Sequence, residues 1–341
     1  MKLAPRTQTV NIEAYQNYLK GQYYRGRYTP ESLAKAKECF ERALAIDPKY
    51  APAYSGLALY HYTLASLGIQ STGDIAPAAN SAAVKALAID PDNSEAHSVL
   101  GIIAALFDND WKAAEMHFRV AIGAESVPPG VRYRYLFYCL LPMGRVPEAT
   151  EQSRLGLETD PLSMILHFGI AWRMYVAKQY LETIESARRA HEIDPNFYFL
   201  WAVMGLAQVH AGFTVEAIAS LKRAVELAPW FHLSAWYLAA AYHRAGDRAR
   251  SQEWARKLAA SHGQTYGAAT FYATTGDVDA MLESIEGAYR QRDWNLAPGI
   301  SAPFFDPYRN EPRFHALLAQ MNLVQNVANE VGVALARSRC G

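Results

Sequence analysis

Apolar and small residues recur along this chain at offsets of three and four, interrupted by turn-forming residues. That pattern predicts a row of short amphipathic helices, each burying one face. Ala36, Phe40 and Ala43 precede Pro48, and Ala79, Ala83 and Ala86 precede Pro91. Ala217, Leu221 and Ala224 stand likewise before Pro229, while Ala114, Phe118 and Ala121 keep the spacing in a stretch without its proline. Alanines on such a face let a second helix approach closely, and the larger residue fills the gap between the two. The proline ends the helix, because it has no N–H to donate and disfavours helix in the residue before it.

The helices come in repeating pairs. Ala-Ile-Asp-Pro occurs at Ala45–Pro48 and again at Ala88–Pro91, with Asp160–Pro161, Asp194–Pro195 and the variant Ala228–Pro229 following. Pro161, Pro195 and Pro229 lie 34 residues apart. Pro48 and Pro91 are 43 apart, the same unit with nine residues inserted, and the Gly68–Ala76 stretch has the composition of a loop to hold them. Upstream in each unit lies a first helix, marked by Trp201-x-x-Met204-Gly205 and, less completely, by Tyr54-x-x-Leu57 and His97-x-x-Leu100-Gly101. Gly144, Gly212, Gly246 and Gly276 fall where a tight turn must join the two helices of a unit. Short helices joined by tight turns and stopped by proline make an array of antiparallel pairs.

These marks resemble the tetratricopeptide repeat, whose 34-residue pattern is W-x2-L-G-x2-Y…A-x3-F…P. Trp201, Met204, Gly205, Ala217, Leu221, Ala224 and Pro229 match it nearly position by position. The tyrosine of the first helix is replaced there by Gln208, and Tyr242 supplies it in the next unit. The resemblance implies an all-α, right-handed superhelical α-solenoid of about eight helix hairpins. The expected organisation is a leader over 1–11, the array over 12–291, and a loop, capping helix and tail over 292–341. The capping helix is expected from Phe314 to about Ala336, with Phe304, Phe305, Phe314, Leu317, Leu318 and Met321 closing the last apolar face. The opening and closing stretches also look like multi-repeat regions that follow a kinase, cyclase or winged-helix domain in bacterial signalling proteins. No such effector domain is present in this sequence, so it is read as a fragment of such a protein or a free-standing relative.

Composition narrows the function. Half the chain is apolar, at 51%, and the charged fraction is 19%, below the roughly 25% of an average soluble protein. Thirty-three basic residues balance 33 acidic ones, so there is no net field to draw in a polyanion, and nucleic acid is not an expected partner. Cys39, Cys139 and Cys340 are far apart and form neither a disulfide framework nor a zinc motif. Their number points to a reducing, cytoplasmic setting, with the extracytoplasmic portion of a membrane-anchored protein as the alternative. No apolar run is long enough to span a bilayer, and nothing near Met1 resembles a signal peptide.

Chemistry is sparse. Nucleotide-binding, metalloprotease and hydrolase motifs are absent, and the ten histidines are scattered, so no catalytic residue, cofactor or metal is expected. Glu182 with Glu185, and Glu283 with Glu286, share helical faces that should turn to water. Asp108-Asn-Asp110 lacks the glycine and glutamate of a calcium loop and reads better as a helix N-cap. What the resemblance implies is a concave groove lined by fixed positions of the first helices. Those positions carry Tyr62, Arg134, Tyr138, Phe168, Trp172, Tyr175, Phe199, Leu206, His210, Trp236, His243 and Arg244. Aromatic rings with occasional arginine are the usual anchors of binding hot spots. The lysine and asparagine that grip a C-terminal carboxylate in some relatives are missing, since Ser98 and Ile102, Arg134 and Tyr138, and Phe168 and Trp172 stand there. The expectation is therefore a scaffold whose open groove binds an apolar peptide or helix of a protein partner, without catalysis. Packing of the same rings between neighbouring helices is the competing account, and a ligand-sensing regulatory region of a larger protein is the competing function.

Overall fold

The computed structural model describes residues 11–263 and 265–323. Its first sixteen helices pair into eight antiparallel hairpins. The first four hairpins are α1 (Ile12–Arg25) with α2 (Pro30–Ile46), α3 (Ala51–Ser66) with α4 (Thr72–Ile89), α5 (Ser94–Leu106) with α6 (Trp111–Ile122), and α7 (Pro129–Tyr135) with α8 (Val146–Thr159). Next come α9 (Met164–Val176) with α10 (Tyr180–His191), and α11 (Tyr198–Ala211) with α12 (Thr214–Leu227). The last two are α13 (His232–Arg244) with α14 (Arg248–His262), and α15 (Tyr266–Thr275) with α16 (Val278–Arg290). First helices pack on first helices of adjacent units, α3 on α5, α7 on α9 and α11 on α13, and so form one continuous wall. The molecule is an all-α solenoid, with no strand among the described residues.

Each sequence mark has a local cause. Every hairpin turn holds one residue in the left-handed region. That residue is glycine at Gly68, Gly144, Gly212, Gly246 and Gly276, but Tyr28, Asn109 and Lys178 in the other three turns. The aspartate of the Asp-Pro pairs works as a turn former. Asp47, Asp160 and Asp194 each accept a hydrogen bond at 2.9–3.0 Å from the backbone N–H two residues on. Phe40 of α2 lies between Gly21 and Gly56, where an added Cβ would come within 2.4 and 2.6 Å of its ring. Leu221 meets Gly205 in the same way, which explains the glycine and the large residue of the repeat as one steric fit. Asp110 caps α6, accepting from Ala113 N at 2.9 Å.

Three expectations change. The insertion after the second first-helix is absorbed largely as helix, because α4 already begins at Thr72 and the connecting loop is short. Helix α7 runs on as a π-helical turn over Leu136–Leu140, which shifts the register of its inner face by one residue. The C-terminal helix α18 covers Pro312–Gln320 rather than reaching Ala336, and positions from 324 on lie outside the described residues. Between α16 and α18 the chain forms a one-turn helix, α17 (Leu296–Gly299), and a 3₁₀ stretch (Pro303–Tyr308). It is this segment that positions the site.

Candidate binding groove

The curved wall of first helices faces inward, and its rings are covered. Tyr62, Arg134, Tyr138, Phe168, Trp172, Tyr175, Leu206 and Trp236 are all buried, Tyr175 at 0% and Trp236 at 1% exposure. Phe199 is buried with them, His210 and His243 are half-buried, and Arg244 alone of the expected set stands exposed. An open, ring-lined trough is therefore not what the chain forms, and the expectation is corrected on that point. Two physical reasons account for it. The solenoid coils tightly enough that Tyr28, in the first hairpin turn, packs edge-on against Phe197 and Phe199 of the sixth unit. The remaining hollow is filled by the chain itself.

After α16 the chain turns inward at Arg292, and Asp293 pins the turn. Its carboxylate accepts from Tyr266 N at 2.9 Å, at the start of α15, and from Asn295 N at 2.9 Å. Trp294 then enters among Tyr62, Phe107 and Tyr138, with ring centroids 5.2, 6.3 and 6.4 Å away. The Trp172 indole donates to Pro298 O at 3.2 Å, and the Tyr266 hydroxyl donates to Gly299 O at 3.2 Å. Gly299 is required there, since a Cβ would lie 2.2 Å from the Tyr266 ring. Phe304 fills a niche of Tyr175, His210 and Tyr237, at 6.4, 4.9 and 6.2 Å. Lys178 pairs with Asp306 at 2.8 Å as the segment leaves. Helix α18 is then held by Arg313 to Glu286, and Trp111 donates to Met321 O at 2.7 Å. Phe304 is thus part of a plug through the middle of the coil, whereas Phe305 and Phe314 stack in the cap proper.

Electrostatics inside follow burial. Desolvation raises the hydroxyls of Tyr62, Tyr138 and Tyr175 well above their ordinary range, so all stay neutral. Tyr62 donates to Tyr138 at 3.0 Å. Burial lowers the Arg134 guanidinium, with Glu95 opposing. Arg134 donates to Ser98 Oγ at 2.8 Å and does not face a ligand groove. Two histidine contacts that spacing did not reveal are His97 with His117, Nδ1 to Nδ1 at 3.0 Å, and His232 with His262, rings 3.7 Å apart. Among the described residues no three His, Cys, Asp or Glu side chains gather to hold a metal. Cys39 and Cys139 are free thiols, and Cys340 lies outside the described residues. Glu182, Glu185 and Glu283 face solvent, while Glu286 is engaged by Arg313.

Between plug and wall two connected spaces remain. The inner chamber is lined by rings such as Tyr62, Tyr138, Phe168, Trp172 and Tyr237, with Leu206, and leaves a cavity of only about 50 Å3. It consists of slots between rings rather than one void. A wider vestibule of about 630 Å3 shares Phe231, Leu233 and Asn295 with it. Phe304 was expected in the cap, while the residues that sequence alone missed are Trp294 and Pro298 of the plug. Their only signal was apolar side chains in a Pro- and Gly-broken stretch beyond the last repeat.

No family model matches the chain. It is 24% identical over 165 residues to the transcriptional regulator HilA of Salmonella typhimurium, covering 48% of this chain and 30% of HilA. It is 26% identical over 230 residues to the human antiviral innate immune response effector IFIT1, covering 67% of this chain and 44% of IFIT1. The matches thus span less than half the length of these relatives. Among solved structures, the human IFIT1 dimer with PPP-AAAA superposes with a TM-score of 0.53 at 17% identity, over 81% of this chain and 72% of that one. Yeast Tom70 gives 0.52 at 15% identity, over 93% and 69%. These likenesses carry the fold alone. Among the described residues no helix is long and apolar enough to cross a membrane.

Proposed function

Because the chain is a tetratricopeptide-repeat protein, we propose that it is a protein-interaction module whose groove recognises apolar segments and holds one of its own, Trp294–Phe305, in cis. The observation that carries this is the seating of that segment. Side-chain niches take Trp294 and Phe304, and the Trp172 indole holds a backbone carbonyl at Pro298. This is how a groove binds an apolar peptide, with a hydrogen bond to its main chain for affinity and pockets for specificity. A partner's segment takes the same seats by exchange. Exchange is demanding, since a tethered segment competes at an effective concentration on the order of millimolar. A partner at ordinary concentration succeeds only when its segment fits better or when the cis segment is loosened.

The test uses the whole chain and a labelled peptide copying residues 293–308. Phe304→Ala weakens the cis segment without touching the wall, so the peptide should bind that variant at least about tenfold tighter than wild type, a 1.4 kcal/mol difference. Trp172→Phe in the same background should weaken the peptide by about 1 kcal/mol, the worth of one hydrogen bond. Equal peptide affinity for wild type and Phe304→Ala, both folded by circular dichroism, would reject exchange.

The likeness to HilA favours a second setting for the same module, the regulatory region of a larger protein. A nucleic-acid partner inside the coil has less support. IFIT1 was solved with PPP-AAAA, but no lysine or arginine is among the residues lining this chamber to neutralise phosphates.

A further inference from the structure

Helix α1 has two faces, and the fold uses one of them. Ala14, Asn17 and Gly21 are buried where α2 and α3 pack on it. Ile12, Tyr15, Leu19 and Tyr23, spaced three, four and four residues apart, form a stripe on the other side. These four side chains are 44–73% exposed, and among the described residues no other helix turns so many large apolar side chains to solvent. Single exposed apolar residues are ordinary, whereas a continuous stripe marks an interaction surface. The helix beneath it is firmly started, since the Asn11 side chain accepts from Glu13 N at 3.0 Å and from Ala14 N at 3.2 Å.

The charges beside the stripe specify what covers it. Glu13 and Lys20 lie seven residues apart, two helical turns, along one edge of the stripe. Both are exposed, and neither is ion-paired among the described residues. A second α1 running antiparallel sets Glu13 of each copy beside Lys20 of the other and lays the stripe against itself. The midpoints of Ile12–Tyr23, Tyr15–Leu19 and Glu13–Lys20 fall within one residue of each other, about 1.5 Å along the helix, so a single two-fold axis serves all three pairs. A parallel copy would instead set each charge against its like.

We infer that the α1 stripe is a self-association surface, joining two copies of this chain through antiparallel α1 helices. Four partly exposed side chains per copy make a small interface, below about 1,200 Å2 in total, so the dimer is weak and forms as concentration rises. None of these residues lines the inner chamber, and the inference does not rest on peptide exchange.

Sedimentation velocity on the full chain should show monomer giving way to dimer with a dissociation constant on the order of 100 μM. Leu19→Glu should keep the chain monomeric at the highest concentration, with circular dichroism unchanged because the side chain it replaces is exposed. Glu13→Lys and Lys20→Glu should each weaken association at least about tenfold, since each turns two attractions into two repulsions. A one-to-one mixture of these two variants should associate at least about tenfold more strongly than either alone, because every charge in the mixed pair meets its opposite again. Mixing also controls for folding, as a misfolded variant is not rescued by its complement. A chain monomeric at every concentration would mean that residues 1–10, residues 324–341 or another protein covers the stripe, and would overturn the inference. So would a dimer indifferent to Leu19→Glu, or a mixture that associates no better than its components.

Discussion

His210 shows how a single side chain in this interior couples chemistry to the fold. Its ring stands 4.9 Å from Phe304, 5.7 Å from Tyr175 and 5.3 Å from Tyr180, wedged where the plug meets the wall. Burial, with Arg244 and Lys178 adding to it against Asp306, pulls the imidazole from the ordinary 6.5 down to about 4. The folded chain thus holds it neutral, while the unfolded chain takes up the proton at higher pH. Its contribution to stability is whole above about pH 6.5 and is lost as the pH falls towards about 4. His191, stacked on Trp201 and lowered by burial to about 4, acts in the same direction. We expect the melting temperature to drop between pH 7 and pH 4.5, and His210→Phe to make that drop smaller. A variant with the wild-type pH profile would show that His210 is not desolvated by the plug.

Helices in this array are short, and their ends are set by local hydrogen bonds as much as by packing. α6 is the clear case. Asn109 sits in the left-handed region, Asp110 accepts from Ala113 N, and Trp111 follows with its indole on Met321 O. The cap therefore begins a helix whose first residue also anchors α18. Asp110→Ala should cost about 1 kcal/mol of stability in urea unfolding, the usual worth of such a cap. It should also speed exchange at the α6 N-terminus and in α18 together. Faster exchange confined to α6 would mean that the cap does not position Trp111. The π turn in α7 is the opposite lesson. It reorients Tyr138 towards Tyr62 and Trp294, and no propensity in Leu136–Leu140 announces it.

At the scale of the whole molecule, a solenoid whose units touch only their neighbours should unfold piecemeal. This one has ties that skip units. Tyr28 reaches the sixth unit, and Trp294 joins the eighth unit to the second and fourth. Trp111 joins the third unit to α18. Such ties make the array closer to a globular domain than to a spring, and wild type should unfold in urea as one cooperative transition. Trp294→Ala should cost about 3–5 kcal/mol, the range for a buried aromatic, and should also split or broaden the transition with a lower slope. A loss of stability with an unchanged slope would mean that the ties lie elsewhere.

The repeat, the hairpin turns and the packing face of each helix were legible in the sequence, because each rests on residues within one 34-residue unit or the first helix of the next. Phe40 needs Gly21 and Gly56, Asp160 needs Leu162 N, and Gly212 needs its own positive φ; all are short-range requirements that recur in phase. Of the expected groove residues, Tyr62, Tyr138, Phe168, Trp172 and Leu206 come together around one inner chamber, whereas Arg134 turns to Ser98 and Arg244 stands exposed. Whether that chamber is open was not written in any unit. It depends on how tightly small rotations between units accumulate and on where a non-repeating segment far along the chain comes to rest, as Pro298 does on Trp172, 126 residues away. Trp172 and Tyr175 have the composition of an interface, yet the same rings stabilise the chain equally well when its own tail covers them, and Trp236 is covered by α15 instead. Hydrophobic burial has no direction and does not distinguish a partner's apolar surface from one carried on the same chain, so only the tertiary structure could decide which of the two fills the hollow.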